Sequence, residues 1–324
     1  MLAVPVALVT LIAGCGSGIV TMTDAPSDCS TGTVASSAEE LSDALETVAS
    51  GETIVLADGR YTGHFELSDV SDITLCGGRE AILDGGGTED GYTLHLENVS
   101  GSLVEGFSIV SGQKGLMLDS SSDNTISGLS ISGTGDEALH VRAASSDNLI
   151  ENNEISDTGR STPRFGEGIY IGTAESNWCS ITACDPDESN GNRVVGNTIS
   201  GTTAENIDIK EGTEGGEISS NTLDGSASVE SDSLIDVKGS AWTVTGNTGA
   251  NATTDGIQVH VIDEGPGGRN TFADNAFDVA SDGYAINLVG AARYADNMLA
   301  CSNSATVDGS PAPDRVSDSE CGSP

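Results

Sequence analysis

Aromatic side chains are scarce in this sequence, since tryptophan, tyrosine and phenylalanine together make up 4% of its 324 residues. A globular core built around large rings is therefore excluded. Glycine is abundant instead, with 42 residues, and serine, threonine, asparagine and aspartate are frequent. This composition favours a core of small aliphatic side chains, with a tight turn at each corner.

Basic side chains are also few: 12 lysines and arginines face 50 aspartates and glutamates, so the formal net charge is −38. No basic stripe can neutralise the phosphates of a nucleic acid, and a nucleic-acid partner is not expected. The acidity is that of a solvated surface. Against this background each of the few basic residues is informative.

The apolar run at the N-terminus, residues 1–15, is too short to span a bilayer. It ends Ile12-Ala13-Gly14-Cys15 and resembles a bacterial lipoprotein signal peptide with Cys15 as the lipidated residue, although no Lys or Arg precedes it. We expect a secreted protein that is held at the cell surface or outer membrane by a lipid anchor. Residues 16–35 would form the tether.

Without Cys15, six of the seven cysteines remain, an even number that suits an oxidising compartment. Their positions favour Cys29–Cys76 at the N-terminal cap, Cys179–Cys184 inside one loop and Cys301–Cys321 at the C-terminal end. Other connectivities stay open at this point. Metal binding by the cysteines is disfavoured because no pair lies near a histidine.

A short apolar pattern recurs from residue 51 to residue 300, and its alternation is that of a strand with one buried face. Two weaker turns, within residues 53–84, precede the clear copies. The tightest copies are 22 or 23 residues apart, and the eight clear ones lie at residues 93–96, 115–118, 138–141, 168–171, 206–209, 234–237, 256–259 and 285–288. One such coil cannot bury its apolar face alone, so neighbouring coils must stack.

The sequence therefore predicts an all-β fold, a single-stranded right-handed parallel β-helix (solenoid). Apolar residues at helical spacing within residues 36–50 predict an amphipathic capping helix over the first coil. Residues 301–324 would cover the last coil as a C-terminal cap. Each repeat ends in a turn with an asparagine, and these amides are expected to stack in one ladder: Asn153, Asn197, Asn221, Asn247, Asn275 and Asn297.

Aligning the repeats places the outward-facing side chains in columns, with coils about 4.8 Å apart. The first column is His95, Met117, His140, Tyr170, Asp208, Asp236, Gln258 and Asn287. The second is Glu97, Asp119, Arg142, Gly172, Lys210, Lys238, His260 and Val289. A third, acidic column holds Glu137, Glu167 and Glu205.

Two of the three lysines thus lie beside two aspartates, between two long loops at residues 156–166 and 173–192 that would wall a groove. The candidate catalytic residues are Lys210, Lys238, Arg142, His140, Asp208 and Asp236. The candidate substrate-binding residues are Tyr170, Trp178, Gln258 and His260, with Trp178 offering a face for a sugar. The same charges also fit an ion-pair ladder that only sets coil register, worth about 0–1 kcal/mol per exposed pair.

The coil pattern, the capping helix and the segment Gly51–Tyr61 (GETIVLADGRY) resemble pectin-lyase-fold proteins over residues 30–300. The nearest enzymes are the chondroitinase B and alginate lyase family, which hold an essential lysine in a Glu-x-Ile-x-x-Lys segment. Glu205–Lys210 (ENIDIK) matches that spacing. The resemblance implies that Lys210 removes the proton beside a uronate carboxylate, and that Glu205 binds a calcium ion that neutralises it.

The family pattern is incomplete in this chain. Its second glutamate falls on Thr203, and its catalytic arginine falls near Lys238. Glu167, one coil earlier, would replace the missing calcium ligand, and oxygen ligands of this kind suit calcium. Lys210 would work as a base because a neighbouring lysine lowers its pKa, although the two aspartates act in the opposite direction.

We therefore expect a monomeric, calcium-assisted polysaccharide lyase that acts on an acidic, uronate-containing glycan by β-elimination. A glycoside hydrolase is one alternative, with Asp208 and Asp236 about 5 Å apart as in a retaining mechanism. The motifs of β-helical polygalacturonases are not found, which disfavours it. The other alternative is a non-catalytic glycan-binding or adhesion module, because fold alone does not decide function.

Overall fold

The structure, a computed structural model, describes residue 29 and residues 31–262 and 267–322. Its strands stack into three sheets that run along a parallel β-solenoid, so the predicted fold class is confirmed. The predicted signal peptide, its lipidation residue Cys15 and most of the tether lie outside the described residues. Within the described part, no helix has both the length and the apolar character needed to cross a membrane.

The sheets have eleven, nine and eleven strands, and every pairing is parallel except β30 with β31. The first sheet consists of β1 Thr33–Ala35, β2 Thr53–Leu56, β5 Thr74–Gly77, β8 Leu103–Glu105, β11 Thr125–Ser127, β14 Leu149–Glu151, β17 Arg193–Val195, β20 Glu217–Ser219, β23 Thr243–Thr245, β26 Thr271–Ala273 and β29 Met298–Leu299. The nine-stranded sheet consists of β4 Phe65–Ser68, β7 Tyr92–Glu97, β10 Lys114–Asp119, β13 Leu139–Arg142, β16 Ile169–Ile171, β19 Ile207–Ile209, β22 Ser233–Val237, β25 Asp255–Val259 and β28 Ile286–Leu288. The third sheet consists of β3 Gly59–Thr62, β6 Ala81–Asp84, β9 Ser108–Val110, β12 Ser130–Ser132, β15 Glu154–Ser156, β18 Thr198–Ser200, β21 Thr222–Asp224, β24 Thr248–Ala250, β27 Ala276–Asp278, β30 Ser304–Val307 and β31 Ser310–Pro311.

Helices are short and lie at the ends and in the loops. The capping helix α1, Ala38–Thr47, begins after Ser37, whose hydroxyl accepts a hydrogen bond from the Glu40 amide at 3.2 Å. Its apolar face (Leu41, Ala44, Leu45) is buried, as the periodicity predicts. The others are α2 Trp178–Ile181 and the 3₁₀ turns Pro163–Phe165, Glu175–Asn177, Gly290–Tyr294 and Pro313–Arg315.

Two boundaries differ from the sequence prediction, and one weak turn gains a defined strand. Residues 33–35, predicted as tether, form β1 and pair with β2. The strand β4 lies in one of the two weaker turns expected within residues 53–84 and gives the sheet its ninth strand, beside the eight clear copies. Strands continue past residue 300, and the backbone of Arg315 and Val316 accepts hydrogen bonds from the last coil, at Ala285 and Ile286.

The core is a set of aliphatic stacks, one residue per coil, of which Ile207, Ile235 and Ile257 are in register. Trp242 is the largest fully buried side chain. It is accommodated because Gly216 lies beside it, where a Cβ atom would come within 2.2 Å of the indole. The three predicted cysteine pairs are all disulfides, with Cα–Cα distances of 6.0, 3.7 and 5.1 Å.

The asparagine ladder is confirmed for five of its six predicted members and wrong for the sixth. Each amide donates to the next side-chain oxygen at 2.9–3.0 Å, and the last partner is Asn303 instead of Asn297. Asn297 lies at another corner, where its side-chain oxygen accepts a hydrogen bond from the backbone amide of Asn270 at 2.9 Å. The last coil has asparagines at two of its turns, Asn297 and Asn303, and spacing alone did not separate them.

Candidate functional site

The nine-stranded sheet carries the predicted columns on its outer face. Tyr170, Asp208, Asp236 and Gln258 are successive register partners, which confirms the first column at its centre. In the second column, the backbone amides of Lys210, Lys238 and His260 each donate to the preceding coil at 2.8–3.0 Å. The parallel register therefore brings the two lysines together with the two aspartates.

Tyr170, Asp208, Lys210, Asp236 and Lys238 form a group of touching side chains that we call the central patch. Lys210 Nζ lies 2.6 Å from Asp208 Oδ2, and Lys238 Nζ lies 3.0 Å from Asp208 Oδ1 and 2.5 Å from Asp236 Oδ2. The ammonium of Lys210 also lies 4.8 Å from the centre of the Tyr170 ring. The lysine side chains are 13% and 15% exposed, so the patch is largely buried but still reaches the surface.

The lowered lysine pKa expected from the sequence is wrong. Burial works to lower the pKa of both lysines, but the charges of Asp208 and Asp236 outweigh it, and the pKa of Lys210 and of Lys238 lies above the usual range. Both are therefore ammonium groups at neutral pH. The neighbouring lysine is a weaker influence than the carboxylates because the carboxylates are in direct contact.

The two aspartates differ although they are neighbours. Burial acts to raise the pKa of Asp208, but Lys210 and Lys238 overcome it and hold that pKa below the usual value. Burial together with the charge of Asp208 raises the pKa of Asp236, against the opposing effect of Lys238. The pair predicted for a hydrolase is thus in register, but a lysine lies between the two carboxylates.

His140 borders the patch as the register partner of Tyr170, one coil earlier. It is 5% exposed, and its ring centre is 4.5 Å from that of Tyr170. Its Nε2 donates to the Gly172 carbonyl at 3.0 Å, and its Nδ1 lies 3.4 Å from Glu137 Oε1. Burial lowers the pKa of His140. The structure therefore places this candidate where it can support the tyrosine rather than contact a polymer.

Arg142 is separated from the central patch by Gly172, which occupies the intervening place in the second column. Its guanidinium binds Asp119 through Nε at 2.6 Å and Nη2 at 3.1 Å. His95 Nε2 binds the same carboxylate at 3.0 Å. Arg142 is thus already paired, and the structure does not bring it to the lysines.

The acidic column divides into two parts. Glu137 is in an ion pair with Lys114, whereas Glu167, Glu205 and Asp208 each present an oxygen within 4.8 Å of the other two. Glu167 Oε2 is buried and has no hydrogen-bond partner. Three carboxylates converging on one point fit a hard cation such as calcium. Asp208 is a ligand candidate that the sequence did not identify in that role.

The pKa values of the two glutamates are raised. Burial, followed by the charges of Asp208 and Asp236, raises the pKa of Glu205 to about 8. Burial and the charges of Glu137, Asp208 and Glu205 raise that of Glu167 well above its usual value. A bound cation would oppose both shifts, because it stabilises the ionised carboxylates.

Both predicted loops flank the sheet. In the loop of residues 173–192, the buried Asp187 carboxylate accepts from the amides of Ala143 and Ala144 at 3.0 and 2.9 Å. Trp178 is half-buried and its indole nitrogen donates to the Thr173 carbonyl at 2.8 Å. In the loop of residues 156–166, Thr203 Oγ1 donates to the Pro163 carbonyl at 2.8 Å. The loops are therefore tied to the coils they border.

Asp255 is a buried residue of the site that sequence reasoning missed. It lies three residues before Gln258, as Glu205 lies before Asp208, and it is the register partner of Ser233. Continuing the acidic column past Glu205 would have identified it. Ser233 occupies the position between Glu205 and Asp255 and carries no charge, so in the sequence the acidic column looks complete at Glu205.

The comparisons agree with this architecture. A family model described as the right-handed β-helix region matches residues 77–189. An alginate lyase from Paenibacillus sp. str. FPU-7 is 31% identical, with 86% of this chain and 95% of that chain covered and a TM-score of 0.78.

More distant solved structures share the fold. The pectate lyase Pel9A is 14% identical, with 86% of this chain and 72% of that chain covered and a TM-score of 0.59. An endo-xylogalacturonan hydrolase from Aspergillus tubingensis is 16% identical, with 77% and 72% covered and a TM-score of 0.52. No curated protein matches the sequence significantly.

Proposed function

The chain belongs to the pectin-lyase-fold family of right-handed parallel β-helices, and on this premise we propose that it is a polysaccharide lyase that cleaves an acidic, uronate-containing glycan by β-elimination. The observation that carries the proposal is the pair of ammonium groups, Lys210 and Lys238, beside Tyr170 on the outer face of one sheet. Identity of 31% over 95% of the length of an alginate lyase supports it.

The lysines supply positive charge where the reaction needs it. Removing the proton beside a carboxylate builds negative charge on that carboxylate, so a preorganised cation next to it stabilises the transition state. Because their pKa values are raised, Lys210 and Lys238 keep their charge at neutral pH. We therefore assign them to the substrate carboxylate, in place of the role of base that the family resemblance implies for Lys210.

Tyr170 is the proton-transfer group in this proposal. Burial and the charges of Asp208, Glu167 and Glu137 raise the pKa of Tyr170 well above its usual value, so the free site holds a neutral phenol. A phenol at this place can donate its proton to the leaving glycosidic oxygen while its oxygen takes the proton from the sugar carbon, so the phenol is regenerated and the polymer gains the double bond. The centre of the tyrosine ring lies 4.5 Å from that of His140 and 4.8 Å from the Lys210 ammonium.

A calcium ion fits the remaining carboxylates, and Glu167, Glu205 and Asp208 would hold it. When bound it would supply additional positive charge for a sugar carboxylate. The buried, unpartnered Glu167 Oε2 and the two raised glutamate pKa values support this part of the proposal. Asp208, which also binds both lysines, would link the cation to the central patch.

We place the protein outside the cytoplasm, as a monomer anchored through Cys15. Three disulfides in the described residues suit an oxidising compartment. Extracellular polymers would then reach the outer face of the sheet without crossing a membrane.

The decisive experiment is a spectroscopic assay of the purified protein with calcium against alginate, pectate, glucuronan and chondroitin. β-Elimination creates a double bond conjugated with the carboxylate, which absorbs at about 235 nm. We expect absorbance to rise with one of these polymers, and the rise to disappear in Tyr170→Phe and in Lys210→Ala. The matched control is Tyr294→Phe, because Tyr294 is 89% exposed and far from the site in sequence; it should retain full activity.

The same assay separates the alternatives. New reducing ends without absorbance at about 235 nm would indicate hydrolysis, for which Asp208 and Asp236 are the carboxylate pair. No product of either kind, with retained binding of a polymer, would indicate a glycan-binding module and reduce the ion pairs of the patch to a device for coil register.

A further inference from the structure

A chain of hydrogen bonds leads from a buried carboxylate to the partly exposed His260. Asp255 is 1% exposed, and its Oδ1 accepts from the backbone amide of Tyr284 at 2.6 Å. Its Oδ2 accepts from the side-chain amides of Gln258 and Asn287, both at 2.8 Å. Gln258 Oε1 then lies 2.9 Å from His260 Nε2. The Asp255 carboxylate is thus the fixed end of the chain.

The direction of each hydrogen bond follows from the fixed end. A backbone amide can only donate, so Asp255 accepts at Oδ1, and as a carboxylate it also accepts at Oδ2. Gln258 must therefore direct its NH₂ group at Asp255 and its oxygen at His260. Asp236 Oδ1, a buried oxygen without a hydrogen bond, lies 3.7 Å from the same His260 nitrogen. Two acceptors face Nε2, so this nitrogen carries the hydrogen.

A neutral imidazole with hydrogen on Nε2 has its lone pair on Nδ1. His260 is the neighbour of Lys238 in the second column, one coil further along at about 4.8 Å. Its side chain is 28% exposed, more than either lysine of the central patch. Nδ1 is thus a hydrogen-bond acceptor next to Lys238, one of the two lysines that we assign to the substrate carboxylate.

We propose that Asp255 and Gln258 are positioning residues that hold His260 as the Nε2–H tautomer, so that Nδ1 accepts a hydrogen bond from a sugar hydroxyl next to the uronate bound at Lys238. A lone pair attracts a hydroxyl and repels a carboxylate, so this position selects a neutral part of the polymer. The sugar ligand rests on the proposed function, whereas the tautomer does not depend on any activity.

The tautomer is measured by two-bond ¹H–¹⁵N NMR of histidine-labelled protein at about pH 8, with the His260 signal assigned by its loss in His260→Gln. The wild type should show hydrogen on Nε2. Gln258→Leu should lose this preference. Asn287→Leu is the matched control, because it removes one hydrogen bond to the same Asp255 oxygen without touching His260, and it should keep the wild-type tautomer.

Asp255→Asn is a second variant that tests the chain from its fixed end. The backbone amide of Tyr284 still needs an acceptor, so the side-chain oxygen of the new asparagine stays directed at it. The asparagine NH₂ group then faces Gln258, and the side-chain amide of Gln258 must rotate to present its oxygen. Gln258 then directs NH₂ at His260, and the hydrogen should move to Nδ1. An Nδ1–H wild type, or the wild-type tautomer retained in both Gln258→Leu and Asp255→Asn, would overturn the proposal.

The sugar contact is measured by kinetics on the polymer that the protein cleaves. Loss of one hydrogen bond should raise KM about five- to tenfold in Gln258→Leu while kcat changes little, and Asn287→Leu should match the wild type. An unchanged KM with the expected tautomer shift would overturn the hydroxyl contact. If no polymer is cleaved or bound, the proposed function and its sugar ligand fail, while the NMR result still decides whether Asp255 and Gln258 set the tautomer.

Discussion

Replacing Glu205 by glutamine should change how the stability of the protein depends on pH. The pKa of Glu205 rises from 4.5 to about 8 in the folded protein, through burial and the charges of Asp208 and Asp236. Below pH 4.5 the carboxyl group is protonated in both the folded and the unfolded chain. Between pH 4.5 and 8 only the unfolded chain releases the proton, so the free energy of unfolding falls as the pH rises.

The size of the effect follows from the shift. A pKa that rises from 4.5 to about 8 corresponds to several kcal/mol for the cluster as a whole, since a tenfold change in proton affinity is about 1.4 kcal/mol. Glu167 experiences the same charges and ionises in competition with Glu205. For the single substitution we therefore expect about 2–3 kcal/mol of this loss to disappear at pH 8.5, and almost none at pH 4.

Calcium should act in the opposite direction, because it binds the ionised carboxylates. At about 100 times its dissociation constant, a ligand that binds only the folded state stabilises it by about 2.7 kcal/mol. This gain should be largest above pH 8 in the wild type and much smaller in Glu205→Gln. The pH dependence of stability and its dependence on calcium are thus two consequences of one cluster.

Urea unfolding followed by circular dichroism measures the free energy of unfolding at pH 4, 6 and 8.5. Each titration is carried out once with a chelator and once with calcium. Glu154→Gln is the control, because the Glu154 side chain is 69% exposed. Parallel curves for the wild type and Glu205→Gln across this pH range would refute the raised pKa. An equal calcium effect in the two proteins would refute Glu205 as a ligand.

Three further predictions concern the ladder, the polymer and the loop. Asn221→Leu should lower the free energy of unfolding by about 3 kcal/mol or more, since the side chain donates to Asn247 and to Val194 and accepts from Asn197; Asn177→Leu, at an exposed asparagine with a φ of −108° and no capping hydrogen bond, should cost far less in the same urea titration. Activity on a polyuronate should rise with added salt, because a chain of net charge −38 repels a polyanion; initial rates that fall as salt is added would contradict this. Trp178→Ala should raise KM several-fold with little change in kcat, because the indole offers a face to a sugar ring. An unchanged KM would mean that Trp178 only packs within its loop.

Much of the fold could be predicted because a solenoid is periodic. Once the repeat was aligned, parallel pairing determined which residues are neighbours, so the order Tyr170, Asp208, Asp236 and the position of the lysines followed from spacing alone. The strand β4 was expected only as part of a weak turn, because Phe65 takes the place of the aliphatic residue that the later coils carry there. Asn297 was misplaced because the last coil has asparagines at two of its turns, and only the folded coil shows that Asn303 meets Asn275.

The sequence by itself therefore determined which side chains lie in the same column of the sheet, because the repeat sets the register of the backbone. The tertiary structure decided how the side chains pair within and between columns. It directs Arg142 to Asp119. It also directs Lys210 to Asp208 and Lys238 to both aspartates, and these lysine contacts reverse the shift expected for the pKa of Lys210. The physical reason is that a pKa depends on contacts of a few ångströms and on burial, whereas a repeat in sequence specifies only the strand and the face on which a side chain lies.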